Sequence, residues 1–270
     1  MRRPTLTAWI GMIIIAAFAF VFLFAQWLAP YGLETTVGVP FADSSADHLL
    51  GLDQNGRDLL SRMLFGAQIS IGVSLAAVLL SFSIGIPLGF FAAIRSGWTD
   101  VILSRGVDTL MSVPVLISAL VVLQALGSSI PVLIVTIAVL DSTRVFRLSR
   151  VLAQGINVME YAEVARLRGE GLAWMIRREI LPNVSGPLMA EFGLRFCFSF
   201  LFVAGLSYLG LGIQPPHADW GGMVRDNQQG ILYGLYTPLW PAGAIAMLTI
   251  GVNLVVDWLL AGKPNRQANR

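Results

Sequence analysis

The stretch EYAEVARLRGEGLAWMIRREILPN, residues 160–183, carries eight charged side chains in the twenty positions from Glu160 to Glu179. The chain around it is apolar, since 56% of its 270 residues are hydrophobic, 13% are charged, and the mean hydropathy is +0.72. Soluble domains of this size do not have such a composition, which indicates a membrane protein. The charged stretch therefore interrupts a series of candidate membrane spans.

Six apolar runs are candidates for crossing the roughly 30 Å of hydrocarbon in a bilayer. The first follows Met1-Arg2-Arg3 and is too long for the apolar region of a secretory signal peptide, so we interpret it as a retained helix. The run that starts at Ile130 is the shortest, and its C-terminal end is polar. The predicted spans are residues 7–29, 69–94, 101–126, 130–146, 188–211 and 239–260.

The second span has small residues at regular spacing. Ser81, Gly85 and Gly89 recur every four residues on one helix face, which favours close approach of another helix. Packing within this chain is the favoured interpretation, and a contact between two chains is the alternative. Pro87 and Pro114 remove backbone donors from the second and third spans and predict kinks there.

Basic residues favour one orientation, because Lys and Arg beside membrane spans are retained in the cytoplasm. With the N-terminus inside, fourteen basic residues are cytoplasmic and three are outside, with Arg195 left out because it lies in a span. The outside three are Arg57, Arg62 and Arg225. The inside residues are Arg2, Arg3, Arg95, Arg105, Arg144, Arg147, Arg150, Arg166, Arg168, Arg177, Arg178, Lys263, Arg266 and Arg270. Both termini and the charged stretch are therefore predicted to be cytoplasmic.

The charged stretch has the pattern of two short helices with a break between them. Asn157 can cap the first helix, and Glu160 completes a capping box. Gly169 and Gly171 are predicted to end the first helix, and Pro182 is predicted to end the second. Apolar residues on one side of the second helix suit docking beneath membrane spans; these are Leu172, Met175, Ile176 and Ile180. The first helix then faces the cytoplasm, and a solvated loop without a partner is the alternative.

Several kinds of site are not expected. The single lysine, Lys263, precedes Pro264 and follows no G-x-x-x-x-G pattern, so this chain has no Walker A loop, and use of ATP would need another subunit. Cys197 is the single cysteine, and His48 and His217 are far apart without ligand-like neighbours. We therefore expect no catalytic residue, bound cofactor or metal ion in this chain.

The segment EVARLRG, residues 163–169, followed by ILP at 180–182, resembles the EAA loop of ABC-importer permeases. The sequence departs from that pattern at Val164, where alanine is usual, and at Glu179. The resemblance implies a coupling helix that seats in a cleft of a cytoplasmic ATPase. The residues implied for this contact are Glu160, Glu163, Val164, Ala165, Arg166, Arg168 and Gly169.

Two further segments resemble dipeptide, oligopeptide and nickel permeases. HLLGLDQNGRDLLSRMLFGAQIS, residues 48–70, is similar to the segment before their second span, and LSYLGLGIQPPHADWG, residues 206–221, is similar to the exit of their fifth span. The first segment departs from the pattern at Leu52, Asn55 and Gln68. The three motifs agree in order and in predicted membrane side, so the resemblance covers most of the chain.

The outer motifs also have a physical interpretation. Residues 51–56 have turn chemistry, and a short amphipathic helix follows at the outer interface, either as a loop anchor or as a partner contact. Asp58 and Arg62 are four residues apart and are predicted to pair. Pro215 and Pro216 are predicted to end the fifth span.

The resemblance implies an all-α membrane protein with the type I ABC importer permease fold, which has six transmembrane helices and a cytoplasmic coupling helix. The implied organisation has five parts: an N-terminal transmembrane helix (1–30), a periplasmic segment with an interfacial helix (31–68), a five-helix permease core (69–261), the coupling loop within that core (157–182), and a cytoplasmic tail (262–270).

The resemblance also implies partners, because six spans form half of a pathway. These are a second, homologous permease of different sequence, two cytoplasmic ABC ATPases, a periplasmic solute-binding protein and the lipid bilayer of the bacterial inner membrane, without nucleic acid. The permease would move solute by alternating access. Relatives handle peptides, nickel chelates, opines and other small solutes, so the sequence leaves the solute open.

An ion-coupled secondary transporter is the main alternative, and a non-transporting scaffold is a third hypothesis. Ion-coupled transporters place carboxylates at mid-membrane and often contain internal repeats, whereas this sequence shows no convincing repeat. Ionisable residues in or near the apolar runs are candidates for a role in transport. They are Asp108, Asp141, Glu191, Arg195 and Asp257.

Overall fold

The computed structural model describes residues 5–261, and its regular structure is helical. The helices are α1 (Leu6–Leu28), α2 (Leu59–Arg95), α3 (Gly97–Met111), α4 (Val115–Leu126), α5 (Ile130–Asn157), α6 (Glu160–Leu167), α7 (Leu172–Trp174), α8 (Leu181–Tyr208), α9 (Trp220–Asp226) and α10 (Leu239–Ala261). A π-helical segment, Met175–Ile180, joins α7 to α8, and a 3-10 helix, Gln228–Tyr233, follows α9. Extended pairing in the described range is limited to isolated bridges. The all-α class is confirmed.

Some predicted features lie outside the described residues. They are the tail 262–270 and the basic residues Arg2, Arg3, Lys263, Arg266 and Arg270.

Within residues 5–261, four helices are long and apolar enough to cross a membrane: α1, α2, α10 and the continuous run Leu172–Tyr208. The pair α3 and α4 makes a fifth span if it is counted as one, although it bends by 81°. The kink predicted at Pro114 in the span 101–126 is therefore confirmed, and it is sharp enough to divide the span into two helices. Pro114 precedes α4 at the bend, and proline cannot supply the donor that would continue the helix. The helix α5 has 28 residues, but its charged residues lower its hydropathy.

The helix α2 is longer than predicted, because the expected interfacial helix is its first part and the chain continues for 37 residues without a break at Pro87. Asp58 caps α2 by accepting from the backbone N–H of Ser61 at 2.8 Å. The predicted pair of Asp58 with Arg62 is wrong, since the helix N-terminus uses the Asp58 carboxylate. Arg62 instead donates from Nη1 to Asp53 Oδ2 at 2.9 Å.

The small residues of α2 bring α5 close to it, as the intramolecular interpretation predicts. A Cβ atom on Gly85 would lie 2.8 Å from the carbonyl oxygen of Ser142, and one on Gly89 would lie 2.7 Å from that of Phe146. Backbone carbonyls cannot move away as a flexible side chain can. The two helices therefore touch through their backbones, and this contact fixes the centre of the bundle.

Replacing Gly89 by alanine should destabilise the fold by about 1–3 kcal/mol, because the new methyl group overpacks against α5. Gly155→Ala is the matched control, since a Cβ atom there meets nothing within 4 Å and alanine is the better helix former. Thermal unfolding of both purified variants in the same detergent measures the difference. Equal melting temperatures for the two variants would show that the backbone contact is absent.

The segment after α8 folds back over the end of the bundle. Trp220, at the start of α9, is 2% exposed, and its indole N–H donates to the carbonyl oxygen of Met63 at 2.9 Å. The backbone N–H of Trp220 donates to the Ser70 hydroxyl at 3.0 Å. These bonds hold α9 against the first turns of α2. The span ends before the position predicted at Pro215 and Pro216, since α8 ends at Tyr208.

Candidate functional site

The short helix α6 begins directly after the long helix α5. Met159 occupies the N-cap position and its side chain makes no capping bond. The predicted capping box of Asn157 and Glu160 is wrong, because Asn157 is the last residue of α5 and its amide donates to the carbonyl oxygen of Ala93 at 3.2 Å. Arg166 donates to the carbonyl oxygen of Asn157 at 2.8 Å, which fixes α6 to the end of α5.

Gly169 ends α6 with a left-handed turn, as predicted. Its φ angle is +78°, a value that glycine adopts without strain. Its N–H donates to the carbonyl oxygen of Arg166 at 2.8 Å, and the N–H of Glu170 donates to that of Ala165 at 3.2 Å. This pair of bonds is the Schellman arrangement, which satisfies carbonyls at the helix end. The turn therefore sets the direction in which the chain leaves α6.

One face of α6 is buried. Ala162 is fully buried and Ala165 is 3% exposed, and both pack in a cluster with Met175, against Ile94 and Trp174. Ile94 comes from the last turn of α2, and Met175 begins the π-helical segment that leads into α8. Small alanine side chains allow α6 to lie close to both. The helix is thereby attached to three of the long helices, α2, α5 and α8.

The opposite face of α6 is exposed. The charged and glycine positions that the sequence assigned to this site are all exposed on α6 or directly after it: Glu160, Glu163, Arg166, Arg168 and Gly169. Val164 is 46% exposed and lies among them, whereas Ala165 belongs to the buried face. Two apolar side chains that the sequence reasoning missed complete this surface, Tyr161 at 42% and Leu167 at 82% exposed. Tyr161 and Leu167 are each three residues from Val164 in the sequence. This helical spacing is the signal that could have identified them.

Tyr161 lies on α6 near enough to the following segment to be influenced by the charge of Glu179. Partial burial, and then the negative charge of Glu179, raises the pKa of the Tyr161 hydroxyl. The phenol is a possible hydrogen-bond donor on the exposed surface.

The second predicted helix of the charged stretch is not separate. Pro182 does not end it, since α7, the π-helical segment and α8 follow one another without a break. Pro182 is the second residue of α8, directly after the π-helical segment. Met175 and Ile180 are buried, so the predicted docking of this segment beneath the bundle is confirmed. A force on α7 therefore acts along a continuous helical path into α8.

Three of the five ionisable candidates in the apolar runs form one cluster between α5 and α8. Arg195 Nη1 donates to Asp141 Oδ1 at 3.3 Å. Arg195 Nε lies 2.7 Å from Glu191 Oε1, an ion-pair distance without the alignment of a hydrogen bond. The predicted pair of Glu191 and Arg195 is therefore present.

The other two candidates lie elsewhere. Asp108 accepts from Arg147 of α5 at 2.6 Å instead of from its neighbour Arg105. Asp257 is exposed on α10.

Comparison with known proteins gives one consistent family. The family described as binding-protein-dependent transport system inner membrane component matches residues 85–262, a range that contains α6. A glutathione transport system permease protein of Pectobacterium atrosepticum is 32% identical over 92% of this chain and 83% of its own length. A dipeptide transport system permease protein of Alkalihalophilus pseudofirmus is 31% identical over 93% of this chain and 83% of its own length. The crystal structure of an amino acid ABC transporter with histidines has a TM-score of 0.48 at 20% identity, covering 70% of this chain and 91% of that one.

The apolar helices define a multi-pass membrane protein, and the relatives define its class as a transporter permease. The chain belongs to the family of binding-protein-dependent transport system inner membrane components, among the ABC permeases of the peptide group. The resemblance found in the sequence is thus confirmed. The permease function is confirmed with it, and the ion-coupled alternative is not favoured.

Proposed function

We propose that the chain is half of the membrane pathway of an ATP-driven importer for a small peptide-like solute, and that α6 is the coupling helix. The observation that carries the proposal is that α6 has one buried face and one exposed face. Its alanine face is packed against residues that continue into α2 and α8, and its other face presents an exposed apolar row flanked by charges. A surface of that kind on a membrane protein fits a partner protein.

The proposed membrane topology has six crossings. They are α1, α2, the bent pair α3 and α4, α5, α8 and α10, with both termini in the cytoplasm. The distribution of basic residues supports this orientation, because it places α6 on the basic, cytoplasmic side. The periplasmic segment 31–68 then ends within the first turns of α2, the core 69–261 holds the coupling loop 157–182, and the cytoplasmic tail is 262–270.

The proposed partners follow from what this chain lacks and from its relatives. The sequence has no lysine that could serve a Walker A loop, so two cytoplasmic ABC ATPases would supply the energy. A second, homologous permease would complete the pathway, and a periplasmic solute-binding protein would deliver the solute. Named relatives transport glutathione and dipeptides, which supports a peptide-like solute for this chain.

The proposed mechanism is a mechanical link. Closure of the ATPase pair on nucleotide displaces α6, and the buried cluster around Ala162 and Met175 passes the displacement to the long helices. Ile94 and Ile176 also pack against a second cluster that contains Phe90 of α2, Ala153 of α5 and residues of α8. Because packed side chains transmit strain instead of absorbing it, the three helices would tilt together. Their tilt would alternate access to the pathway.

Cross-linking tests the proposed contact. A cysteine at Leu167, which is 82% exposed, should cross-link to the co-expressed ATPase, whereas a cysteine at the buried Ala165 should not. Leu49→Cys, at a position 65% exposed near the other end of the bundle, is the control for exposure alone. The native Cys197 is buried, so it does not interfere. Cross-linking of the ATPase to the Leu49 position, or to neither exposed position, would contradict the proposal.

A further inference from the structure

A polar cavity of about 220 Å³ lies among the loops at the start of α2 and the end of α8. The helix α2 begins at this cavity, and its last turn contains Ile94, which packs against α6, so the cavity is at the opposite end of the bundle from α6. Ile213 and Met223 line it and also belong to the buried clusters of the bundle. The cavity is therefore closed on the bundle side.

Three arginines line this cavity: Arg57, Arg62 and Arg225. They are the same three basic residues that the charge distribution leaves on the outer side of the membrane. Arg57 and Arg225 are 168 residues apart in the chain, so the fold has gathered all the outer positive charge into one place.

Two of the three arginines have acidic partners. Arg62 pairs with Asp53 at 2.9 Å, and Arg225 pairs with Asp226 at 2.9 Å. Arg57 has no ion-pair partner among the residues from 5 to 261 that the structure describes. Its positive charge is thus available on the cavity wall.

Two guanidinium donors at the cavity are buried without an acceptor. They are the Nε–H groups of Arg57 and Arg62. Arg62 as a whole is 7% exposed, so water outside the cavity does not reach it. A buried charged donor without an acceptor is costly, and such groups in native structures usually meet a water molecule or an ion. The cavity wall therefore has unused capacity for an anion.

Besides Asp53 and Asp226, which pair with arginines, the acidic group at the cavity is Asp219. Burial raises the pKa of Asp219 to about 6, although the backbone N–H of Gly222 donates to its carboxylate and opposes the shift. The Asp219 carboxylate accepts this hydrogen bond as the N-cap of α9. It does not offer Arg57 a partner.

We propose that this cavity receives an acidic side chain, Asp or Glu, of the periplasmic solute-binding protein, and that Arg57 pairs with its carboxylate. The proposal rests on the proposed function, which supplies this partner. A carboxylate matches the free guanidinium in charge and in geometry. The volume suits a side chain, and closure on the bundle side argues against a passage for solute.

The test measures binding of the solute-binding protein encoded with this permease to the assembled importer in lipid nanodiscs. Arg57→Glu should weaken that binding by about tenfold or more, Arg57→Ala should weaken it less, and Arg57→Lys should keep most of it. Arg105→Glu makes the same charge change at an exposed position on α3 and should leave binding unchanged. Exchange of one acidic residue of the binding protein for lysine should restore binding to Arg57→Glu.

Unchanged binding by Arg57→Glu would overturn the proposal. A second measurement does not depend on the folding of the Arg57 variants: each acidic residue of the binding protein is changed singly to lysine. If all of these variants bind the wild-type importer normally, the proposal is also overturned. If binding is unchanged and the dependence of uptake on anionic lipid changes, the cavity is assigned to a phosphate headgroup instead. If binding is unchanged and the KM for solute changes, the cavity is assigned to the solute. Failure of the wild-type complex to couple ATP hydrolysis to uptake would instead contradict the proposed function.

Discussion

Gly169→Pro should abolish solute uptake while the permease still folds and inserts. The φ angle of +78° at Gly169 is out of reach for proline, which is held near −65°. Proline also removes the N–H that donates to the carbonyl oxygen of Arg166 at 2.8 Å, so the turn that ends α6 cannot form. A Cβ atom at this position meets nothing within 4 Å, so the damage is confined to the backbone turn. Uptake in proteoliposomes, and ATPase activity stimulated by the binding protein, measure the loss.

Gly171→Pro is the matched control for this substitution. Gly171 has φ −78°, which proline adopts, and it is the N-cap of α7. Its substitution should leave most of the uptake intact although it lies two residues away. Gly169→Asn should also retain activity, because asparagine tolerates the left-handed region better than other residues do. Normal uptake by Gly169→Pro would remove the proposed coupling role of α6 and would favour the scaffold hypothesis.

Local chemistry explains which parts of the fold and the site the sequence predicted. The end of α6 at Gly169 depends on one backbone conformation and was predicted, as was the contact of Gly85 and Gly89 with a neighbouring helix. The buried docking of Met175 also follows from periodicity. These features depend on residues within one or two helical turns, which a sequence displays directly.

Features that depend on distant parts of the chain were missed. Asn157 has the right residue type for an N-cap, but Ala93 of α2 takes its amide, so α6 starts without that cap. Asp58 and Arg62 have the right spacing for a pair, but across the preceding loop Asp58 contacts His48 at 3.1 Å and Arg62 contacts Asp53 at 2.9 Å. The convergence of three arginines from separate segments on one cavity likewise depends on how α9 folds over α2. Spacing alone carries no information about such contacts.

Arg195→Gln should destabilise the fold by about 3–5 kcal/mol, because removal of one member of a buried ion pair leaves its partners uncompensated. Asp141 and Glu191 would remain as two carboxylates in an apolar bundle, with side chains 4% and 18% exposed. Thermal unfolding and the yield of folded protein in detergent measure the effect. Arg105→Gln, at an exposed position on α3, is the control for loss of an arginine.

A triple variant separates a structural role of this cluster from a role in transport. Asp141→Asn and Glu191→Gln keep the side-chain shapes, and with Arg195→Gln, which shortens its side chain, they remove the three charges of the cluster, so much of the stability should return. An importer driven by ATP does not need these carboxylates to carry ions, so uptake should return as well. An ion-coupled transporter would lose uptake in the triple variant even with its stability restored, because no carboxylate would remain in the cluster to carry the coupling ion. Stability restored without uptake would therefore reopen that alternative, and recovery of both would fix the cluster as a structural link between α5 and α8.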